Sequence, residues 1–150
     1  MERTLVLVKP DAVQRGLVGE IISRLEATGL KLVALKMIHM DREMAGRHYG
    51  IHKGKPFFEG LVQFITSSPL VAAVLEGPKA VETARKMMGD TDPVKAAAGT
   101  IRGDLALDIG RNVVHGSDSA ANAEQEINLF FAPEDVLSYS RQIEPWVIES

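Results

Sequence analysis

Apolar runs alternate with amphipathic segments along the chain, and together they predict its secondary structure. Consecutive apolar residues are typical of buried strands, whereas apolar residues at every third or fourth position indicate one face of a helix. Glycine, proline and aspartate mark the ends of these segments. The predicted order is strand Arg3–Lys9, helix Val18–Thr28, strand Leu30–Met40, a helix after Asp41 toward Tyr49, helix Phe57–Ile65, strand Leu70–Leu75, helix Pro78–Met88, strand Ile127–Phe131 and a last helical segment Pro133–Tyr139.

The order of these elements indicates the fold class. Strand, helix, strand, helices, strand, helix, strand corresponds to a βαββαβ arrangement. This predicts an α+β, ferredoxin-like fold, with an antiparallel four-stranded sheet and helices packed on one of its faces. The sequence contains no internal repeat, low-complexity segment or linker, so we expect a single domain over residues 1–150.

A long polar loop is predicted between Gly89 and Gly110. A loop of this length inside a compact domain is uncommon unless it has a function. The segment is rich in side chains that can bind a ligand, namely Thr91, Asp92, Thr100, Arg102 and Asp104. We therefore predict that the loop is functional.

Composition narrows the classes of function. The net charge is −3 and the pI is near 5.8, and no basic run is present that would bind a nucleic-acid backbone. Cysteine is absent, so disulfides and thiolate metal sites are excluded. The apolar run Leu5–Val8 is too short for a signal peptide or a membrane span. We expect a cytoplasmic protein that requires neither a membrane nor nucleic acid.

The segment Asn112–Asp118 carries the strongest chemical signal. Val113 and Val114 favour an extended conformation, and Gly116 allows a sharp turn directly after His115. A histidine at the end of such an element can act as a nucleophile, an acid or base, or a metal ligand. Taken alone, the segment also fits a turn in which Ser117 or Asp118 hydrogen-bonds the imidazole.

Four further motifs accompany this segment, in order along the chain. The five are Lys9-Pro10-Asp11, Gln14-Arg15-Gly16, Lys55-Pro56-Phe57-Phe58, Gly99-Thr100-Ile101-Arg102-Gly103-Asp104 and Asn112–Asp118. With these motifs the chain resembles the nucleoside diphosphate kinase family over essentially its whole length. The resemblance implies an enzyme that transfers the γ-phosphoryl group of a nucleoside triphosphate to a nucleoside diphosphate. It further implies a ping-pong mechanism through a phosphohistidine on His115, with broad base specificity.

The resemblance also implies roles for individual residues. Catalytic roles are expected for His115, Glu126, Ser117, Lys9 and Tyr49. Nucleotide-binding roles are expected for Lys9, His52, Phe57, Arg85, Thr91, Arg102, Ile109 and Asn112. Within this second set, four residues are expected to contact the phosphates of the nucleotide: His52, Arg85, Thr91 and Arg102. Lys9 and Asn112 would contact the ribose end and the transferring oxygens, and Phe57 and Ile109 the base.

These residue types suit the implied chemistry. A neutral imidazole is a competent nucleophile near pH 7, and guanidinium groups match phosphate oxygens. A carboxylate at Glu126 can fix the tautomer of the imidazole. Each residue also has a simpler interpretation: Arg85 as a solvated surface residue, Phe57 as part of the core, and Glu126 as a solvated charge.

The expected cofactor is Mg²⁺, bound through the nucleotide phosphates and not by a cage of protein ligands. His48 and His52 are four residues apart, as in a helical metal pair, but Tyr49 stands where the zinc-protease motif requires Glu. The expected partners are nucleoside triphosphates, nucleoside diphosphates and further copies of the chain. The resemblance favours a homo-oligomer that is a hexamer over one that is a tetramer.

Other classes fit the sequence less well. A P-loop kinase would need a glycine at Tyr49 and Ser or Thr at Pro56. An RNA-binding module of the same topology would carry aromatic residues on its strands, and Thr4–Val8 and Leu70–Leu75 contain none. A phosphohistidine mutase and a catalytically inactive scaffold both remain alternatives to the kinase.

Overall fold

A four-stranded antiparallel sheet organises residues 1–149, the part of the chain that the computed structural model describes. The strands are β1 (Glu2–Val8), β2 (Lys31–Ile38), β3 (Leu70–Gly77) and β4 (Val114–Gly116). The α-helices are α1 (Pro10–Gln14), α2 (Val18–Ala27), α3 (Arg42–His48), α4 (Phe58–Ile65), α5 (Ala80–Met88), α6 (Ile101–Leu105) and α7 (Ala120–Phe130). Short 3₁₀ turns lie at Gly50–His52, Pro133–Asp135 and Glu144–Trp146.

The strand order β2-β3-β1-β4 places β1 and β3 in the centre of the sheet and β2 and β4 at its edges. All neighbouring strands are antiparallel. This topology confirms the α+β, ferredoxin-like fold predicted from the order of elements. β4 pairs with the second half of β1, where Leu7 lies opposite His115. His115 is therefore held on an edge strand by a central strand whose second half is fully buried.

Helices cover both faces of the sheet, whereas the sequence predicts cover on one face. Successive residues of a strand point to opposite faces. Val6 and Val8 accordingly pack in a cluster with α2 and α5, and Leu5 and Leu7 pack in a second cluster with α4 and α7. These four residues are fully buried, which requires cover on both sides.

The prediction of a fourth strand at Ile127–Phe131 is wrong. Residues 127–130 form the end of α7, Phe131 is its C-cap, and the fourth strand is Val114–Gly116. The buried residues of α7, Ala123, Ile127 and Phe130, have the spacing of one helical face. Ser119 caps the helix, because its side chain accepts a hydrogen bond from Asn122 N at 3.1 Å. The correction places Glu126 on a helix that packs against β1.

Other parts of the structure also differ from the sequence prediction, including the short helix α1, which was not predicted. The predicted loop contains the short helix α6, whose N-cap Thr100 accepts a hydrogen bond from Gly103 N at 3.0 Å. The predicted helical segment Pro133–Tyr139 is helical only as the 3₁₀ turn Pro133–Asp135. The N-cap predicted at Asp41 is confirmed, since Met44 N donates to Asp41 Oδ1 at 2.8 Å. None of the helices in residues 1–149 is long and apolar enough to cross a membrane.

Candidate active site

A cavity of about 750 Å³ opens beside β4 and collects nearly all the residues singled out in the sequence. Every predicted site residue except Ser117 lines it: Lys9, Tyr49, His52, Phe57, Arg85, Thr91, Arg102, Ile109, Asn112, His115 and Glu126. Ser117 is fully buried, and its Oγ lies 3.4 Å from Leu5 N, within hydrogen-bonding distance of that donor. The cavity therefore unites Lys9, directly after β1, with residues from α3, α5, the loop after α5, β4 and α7.

A sharp bend in the backbone precedes His115. Val113 has a φ of +67°, which is unusual for a β-branched residue and strained. The bend is held on both sides: Val113 N donates to Asp11 Oδ2 at 3.1 Å, and Lys9 N donates to Val113 O at 2.9 Å. The Lys9-Pro10-Asp11 motif thus fixes the backbone that leads into His115. This function of Asp11 is not apparent from the sequence, because Asp11 and Val113 are far apart along the chain.

A short hydrogen bond joins His115 to α7. Nε2 of His115 lies 2.6 Å from Oε2 of Glu126. Burial alone would raise the pKa of Glu126, but hydrogen bonds from His115 and Ser117 and the nearby imidazoles outweigh burial and lower it. The carboxylate therefore stays ionised and accepts a hydrogen bond from the protonated Nε2. In a neutral imidazole this leaves Nδ1 unprotonated and able to act as a nucleophile.

His48 also lines the cavity, next to His115, although no sequence motif placed it in the site. Its side chain is only 3% exposed, and its ring meets the ring of His115 edge-on, with 4.9 Å between centroids. Burial and the neighbouring His115 lower the pKa of His48 to about 4. His48 is therefore neutral near pH 7. The signal in the sequence was its position in the last turn of α3, next to Tyr49.

Two arginines that line the cavity donate hydrogen bonds to the backbone of β4. Arg102 is 6% exposed and donates to the carbonyls of Gly89 at 3.0 Å and Val114 at 2.8 Å. Arg85 donates to the carbonyl of Gly116 at 3.2 Å. Burial and the nearby charge of Arg85 lower the pKa of Arg102 to about 10, so the group remains cationic near pH 7. Positive charge is thus concentrated on both sides of His115.

A chain of hydrogen bonds connects Lys9 to the loop after α5. Lys9 Nζ donates to Asn112 Oδ1 at 2.7 Å, and Asn112 Nδ2 donates to Thr91 O at 2.9 Å. Burial lowers the pKa of Lys9 to about 8, with Asp11 acting in the opposite direction. Lys9 is therefore a cation near pH 7 that loses its charge at moderately alkaline pH.

Apolar and aromatic side chains form the mouth of the cavity. Phe57 is 50% exposed and Ile109 is 56% exposed. The rings of Phe57 and His52 are 5.1 Å apart. Burial raises the pKa of Tyr49 to about 12, so its hydroxyl keeps its proton. Exposed apolar surface beside a cationic cavity suits a ligand with a flat ring at one end and negative charge at the other.

Sequence comparisons agree with this geometry. The family model described as nucleoside diphosphate kinase matches residues 2–136. The nucleoside diphosphate kinase of Pelotomaculum thermopropionicum is 62% identical over 149 residues, which cover 99% of this chain and 100% of that protein. The corresponding protein of Thermomicrobium roseum is 60% identical over 148 residues, which cover 99% of each chain.

Solved structures give the same result. The nucleoside diphosphate kinase of Halobacterium salinarum, in complex with CDP, aligns with a TM-score of 0.96 at 51% identity, covering 99% of each chain. A nucleoside diphosphate kinase family protein from Babesia bovis also aligns with a TM-score of 0.96, at 46% identity, covering 99% of this chain and 100% of that one. The chain belongs to the nucleoside diphosphate kinase family and is an enzyme that transfers phosphoryl groups between nucleotides.

Proposed function

We propose that the transfer runs through a phosphohistidine formed at Nδ1 of His115. The observation that carries this proposal is the 2.6 Å contact between His115 Nε2 and Glu126 Oε2 at the wall of the cationic cavity. A carboxylate on one ring nitrogen fixes the tautomer of the imidazole and stabilises its positive form. Nδ1 is therefore the nitrogen with a free lone pair.

The reaction has two half-steps. In the first, the Nδ1 lone pair attacks the γ-phosphorus of a nucleoside triphosphate, an N–P bond forms, and the bond from phosphorus to the bridging oxygen breaks. The nucleoside diphosphate leaves with that electron pair. In the second, a terminal β-phosphate oxygen of another nucleoside diphosphate attacks the same phosphorus and the N–P bond breaks. Throughout, Glu126 holds the Nε2 proton and stabilises the positive charge on the ring.

Phosphoryl transfer depends mainly on positioning and on neutralising charge. We assign that work to Arg85 and Arg102, with Thr91 and His52 as further hydrogen-bond donors to the phosphates. Arg85 and Arg102 contact the carbonyls of Gly116 and Val114, on either side of His115. A phosphate bound to their remaining N–H groups would therefore lie next to the nucleophile.

The remaining site residues receive supporting roles. Lys9 and Asn112, joined at 2.7 Å, would bind the ribose end and the transferring oxygens. Tyr49 supplies a protonated hydroxyl as a hydrogen-bond donor. Ser117 is buried behind β4 and contributes a hydrogen bond to Glu126, so it would hold the carboxylate in place.

Broad base specificity follows from the mouth of the cavity. Phe57 and Ile109 offer an exposed aromatic ring and an exposed aliphatic side chain. Stacking on an aromatic ring accepts every base, because every base has a π face. We therefore propose that purine and pyrimidine nucleotides are all substrates.

We propose Mg²⁺ as the divalent ion of the reaction, carried in on the nucleotide phosphates, where it neutralises charge. Among the described residues, the carboxylates that line the cavity are Glu126, bonded to His115, and Asp118, which accepts a hydrogen bond from Asn122 Nδ2 at 2.6 Å. These two do not make the octahedral oxygen cage that Mg²⁺ requires, and the ion commonly keeps its waters and binds substrate phosphates. EDTA-treated enzyme should therefore regain full activity once the Mg²⁺–nucleotide complex is supplied.

We also propose that the protein is a cytoplasmic homo-oligomer, with a hexamer favoured over a tetramer. The edge strand β2 exposes 51% of Leu35 and 60% of Met37. Apolar side chains on an edge strand favour pairing with another chain. The preference for six subunits rests on the family resemblance, and the location rests on the shortness of the apolar run Leu5–Val8.

Incubation with a γ-labelled nucleoside triphosphate and no acceptor tests the proposed intermediate. The wild-type protein should acquire one acid-labile phosphoryl group, which any nucleoside diphosphate then removes. The His115→Ala variant should bind nucleotide but acquire no label. An acid-stable label, or label on the variant, would contradict the proposal.

A further inference from the structure

Three metal-ligating side chains meet at the inner wall of the cavity. A nitrogen of His48, a nitrogen of His115 and a carboxylate oxygen of Glu126 all lie within 4.8 Å of one another. Glu126 Oε2 is at the centre of the group, 2.6 Å from His115 Nε2 and 3.7 Å from His48 Nδ1. The three side chains come from α3, β4 and α7, so the fold itself assembles the cluster.

His48 provides an independent sign that a ligand belongs here. Its side chain is 97% buried, and its Nδ1 has no hydrogen-bond partner among the described residues. A buried polar atom without a partner costs stability and calls for a specific explanation. Nδ1 faces the Glu126 carboxylate across a distance that is too long for a hydrogen bond and suits two ligands of one metal ion.

The donor set selects the class of ion. Two imidazoles and one carboxylate are the protein ligands of many catalytic zinc sites, which leave one coordination position open. Imidazole suits Zn²⁺, Cu²⁺ and Ni²⁺, whereas Mg²⁺ prefers oxygen ligands. In this site the open position would face the cavity, because all three residues line it.

We propose that His48, His115 and Glu126 form an inhibitory binding site for a divalent transition-metal ion, with Zn²⁺ as the representative ion. The ion replaces the proton between His115 Nε2 and Glu126, and that proton is released to solvent. Coordination at Nε2 withdraws electron density from the ring, and Glu126 becomes a metal ligand and no longer supports a positive imidazole. Metal binding and phosphoryl acceptance are then mutually exclusive. The inhibition rests on the proposed role of His115, whereas the binding does not.

Calorimetric titration of Zn²⁺ into the EDTA-treated and dialysed full-length protein tests the binding. We expect one saturable site per chain, and a loss of affinity of at least tenfold in His48→Ala. His39→Ala is the matched control and should bind like the wild type, because His39 is exposed and contacts Thr66 O at 2.7 Å, away from the cavity. If His48→Ala does not fold, His48→Phe replaces it in the titration, because this variant keeps a ring in the buried space and has no ligand nitrogen. Equal affinity in the wild type and the His48 variants, or an absence of saturable binding, would overturn the site.

The visible absorption of bound Co²⁺ tests the coordination geometry in the wild-type protein, without any variant. Binding at two imidazoles, one carboxylate and water should produce the intense visible absorption of a tetrahedral site, and Zn²⁺ should remove it by competition. The weak spectrum of hexahydrated or octahedral Co²⁺ would overturn the proposed geometry.

Phosphoenzyme formation at buffered free Zn²⁺ tests the inhibition. The labelled fraction should fall with the same midpoint as the calorimetric binding curve, and the midpoint should move at least tenfold in a His48 variant that still labels. Full labelling of the zinc-bound protein would overturn the inhibition. If wild-type protein without zinc acquires no label, the proposed phosphohistidine fails, while calorimetry still decides whether the metal site exists.

Discussion

One carboxylate distinguishes the two nitrogens of His115. Glu126 occupies Nε2 at 2.6 Å, and burial alone would make that carboxylate harder to ionise. The hydrogen bonds it accepts reverse the effect, so it can hold the imidazole in one tautomer. The spacing of residues in the sequence predicts neither the contact between His115 and Glu126 nor the ionised state of Glu126. His115 is on a strand and Glu126 is on a helix, and only the fold brings the two together. What the sequence does carry is the motif around His115 and the residue types that line the cavity.

The pKa of Lys9 should be visible in the pH dependence of the reaction. Burial lowers this pKa to about 8, so the free enzyme loses the cation that we assign to the ribose end and the transferring oxygens as the pH rises through about 8. We expect kcat/KM for a nucleoside triphosphate to be maximal below that pH and to fall above it, because kcat/KM reports the free enzyme. Steady-state kinetics between pH 6 and about 10 measures the effect.

The Lys9→Arg variant is the control, because a guanidinium stays charged over this range. Its alkaline fall should move to higher pH or vanish. An unchanged fall in that variant would show that another group causes it.

Phe57 should bind all bases to a similar extent. Its ring is half exposed at the cavity mouth, so Phe57→Ala removes a stacking surface with little loss of core packing. We expect affinity for adenine, guanine and pyrimidine nucleotides to weaken together by about 1–3 kcal/mol, as for other base–aromatic stacks.

Equilibrium binding of a matched series of diphosphates measures the loss, and Phe57→Tyr should retain most of the affinity. A variant that loses one base and keeps the others would point to hydrogen-bond recognition instead.

At the scale of secondary structure, buried strands and amphipathic helices are the predictable part. β1, β2, β3, α2, α4 and α5 follow from apolar runs, helical spacing and end signals. The end of α7 was misinterpreted because five residues, Ile127–Phe131, are too few to distinguish strand from helix by periodicity. β4 has only three residues, and its conformation depends on pairing with β1. Local patterns carry no information about that tertiary contact.

The N-cap of α7 should contribute to stability directly. Ser119 accepts a hydrogen bond from Asn122 N at 3.1 Å at the start of the helix that carries Glu126. Ser119→Ala should lower the free energy of unfolding by about 1 kcal/mol. Ser119→Asp, which keeps an acceptor, should lose much less.

Denaturant unfolding monitored by circular dichroism measures both variants. Equal stability of Ser119→Ala and the wild type would mean that the cap contributes nothing to α7.

At the scale of the whole molecule, the family, the fold and the outline of the site were predictable, whereas His48 and Asp11 were not. Their importance arises from burial and from partners distant in sequence: His48 beside Glu126, and Asp11 beneath the strained backbone of Val113. Sequence motifs therefore do not indicate the role of either residue. The exposed apolar edge of β2 is likewise a property of the assembled sheet, because it depends on which strand is left without a neighbour.

That edge gives a prediction for assembly. Met37 is 60% exposed on β2, and in the proposed oligomer a charge placed there would be buried against another chain. Met37→Asp should shift the protein from a homo-oligomer, expected as a hexamer, to smaller species in sedimentation equilibrium. Val94→Asp, at an 81% exposed apolar residue on the loop after α5, is the charge-matched control and should sediment like the wild type. A wild-type monomer, or an unchanged Met37→Asp assembly, would contradict the proposed contact.

The nitrogen that carries the phosphoryl group tests the central claim most directly. Phosphoenzyme made from protein with ¹⁵N-labelled histidine can be studied by ³¹P and ¹⁵N NMR, where one-bond coupling identifies the bonded nitrogen. Because Glu126 holds Nε2, we predict a single phosphorus resonance coupled to Nδ1 of His115. Coupling to Nε2, or phosphorus on any other residue, would contradict the account.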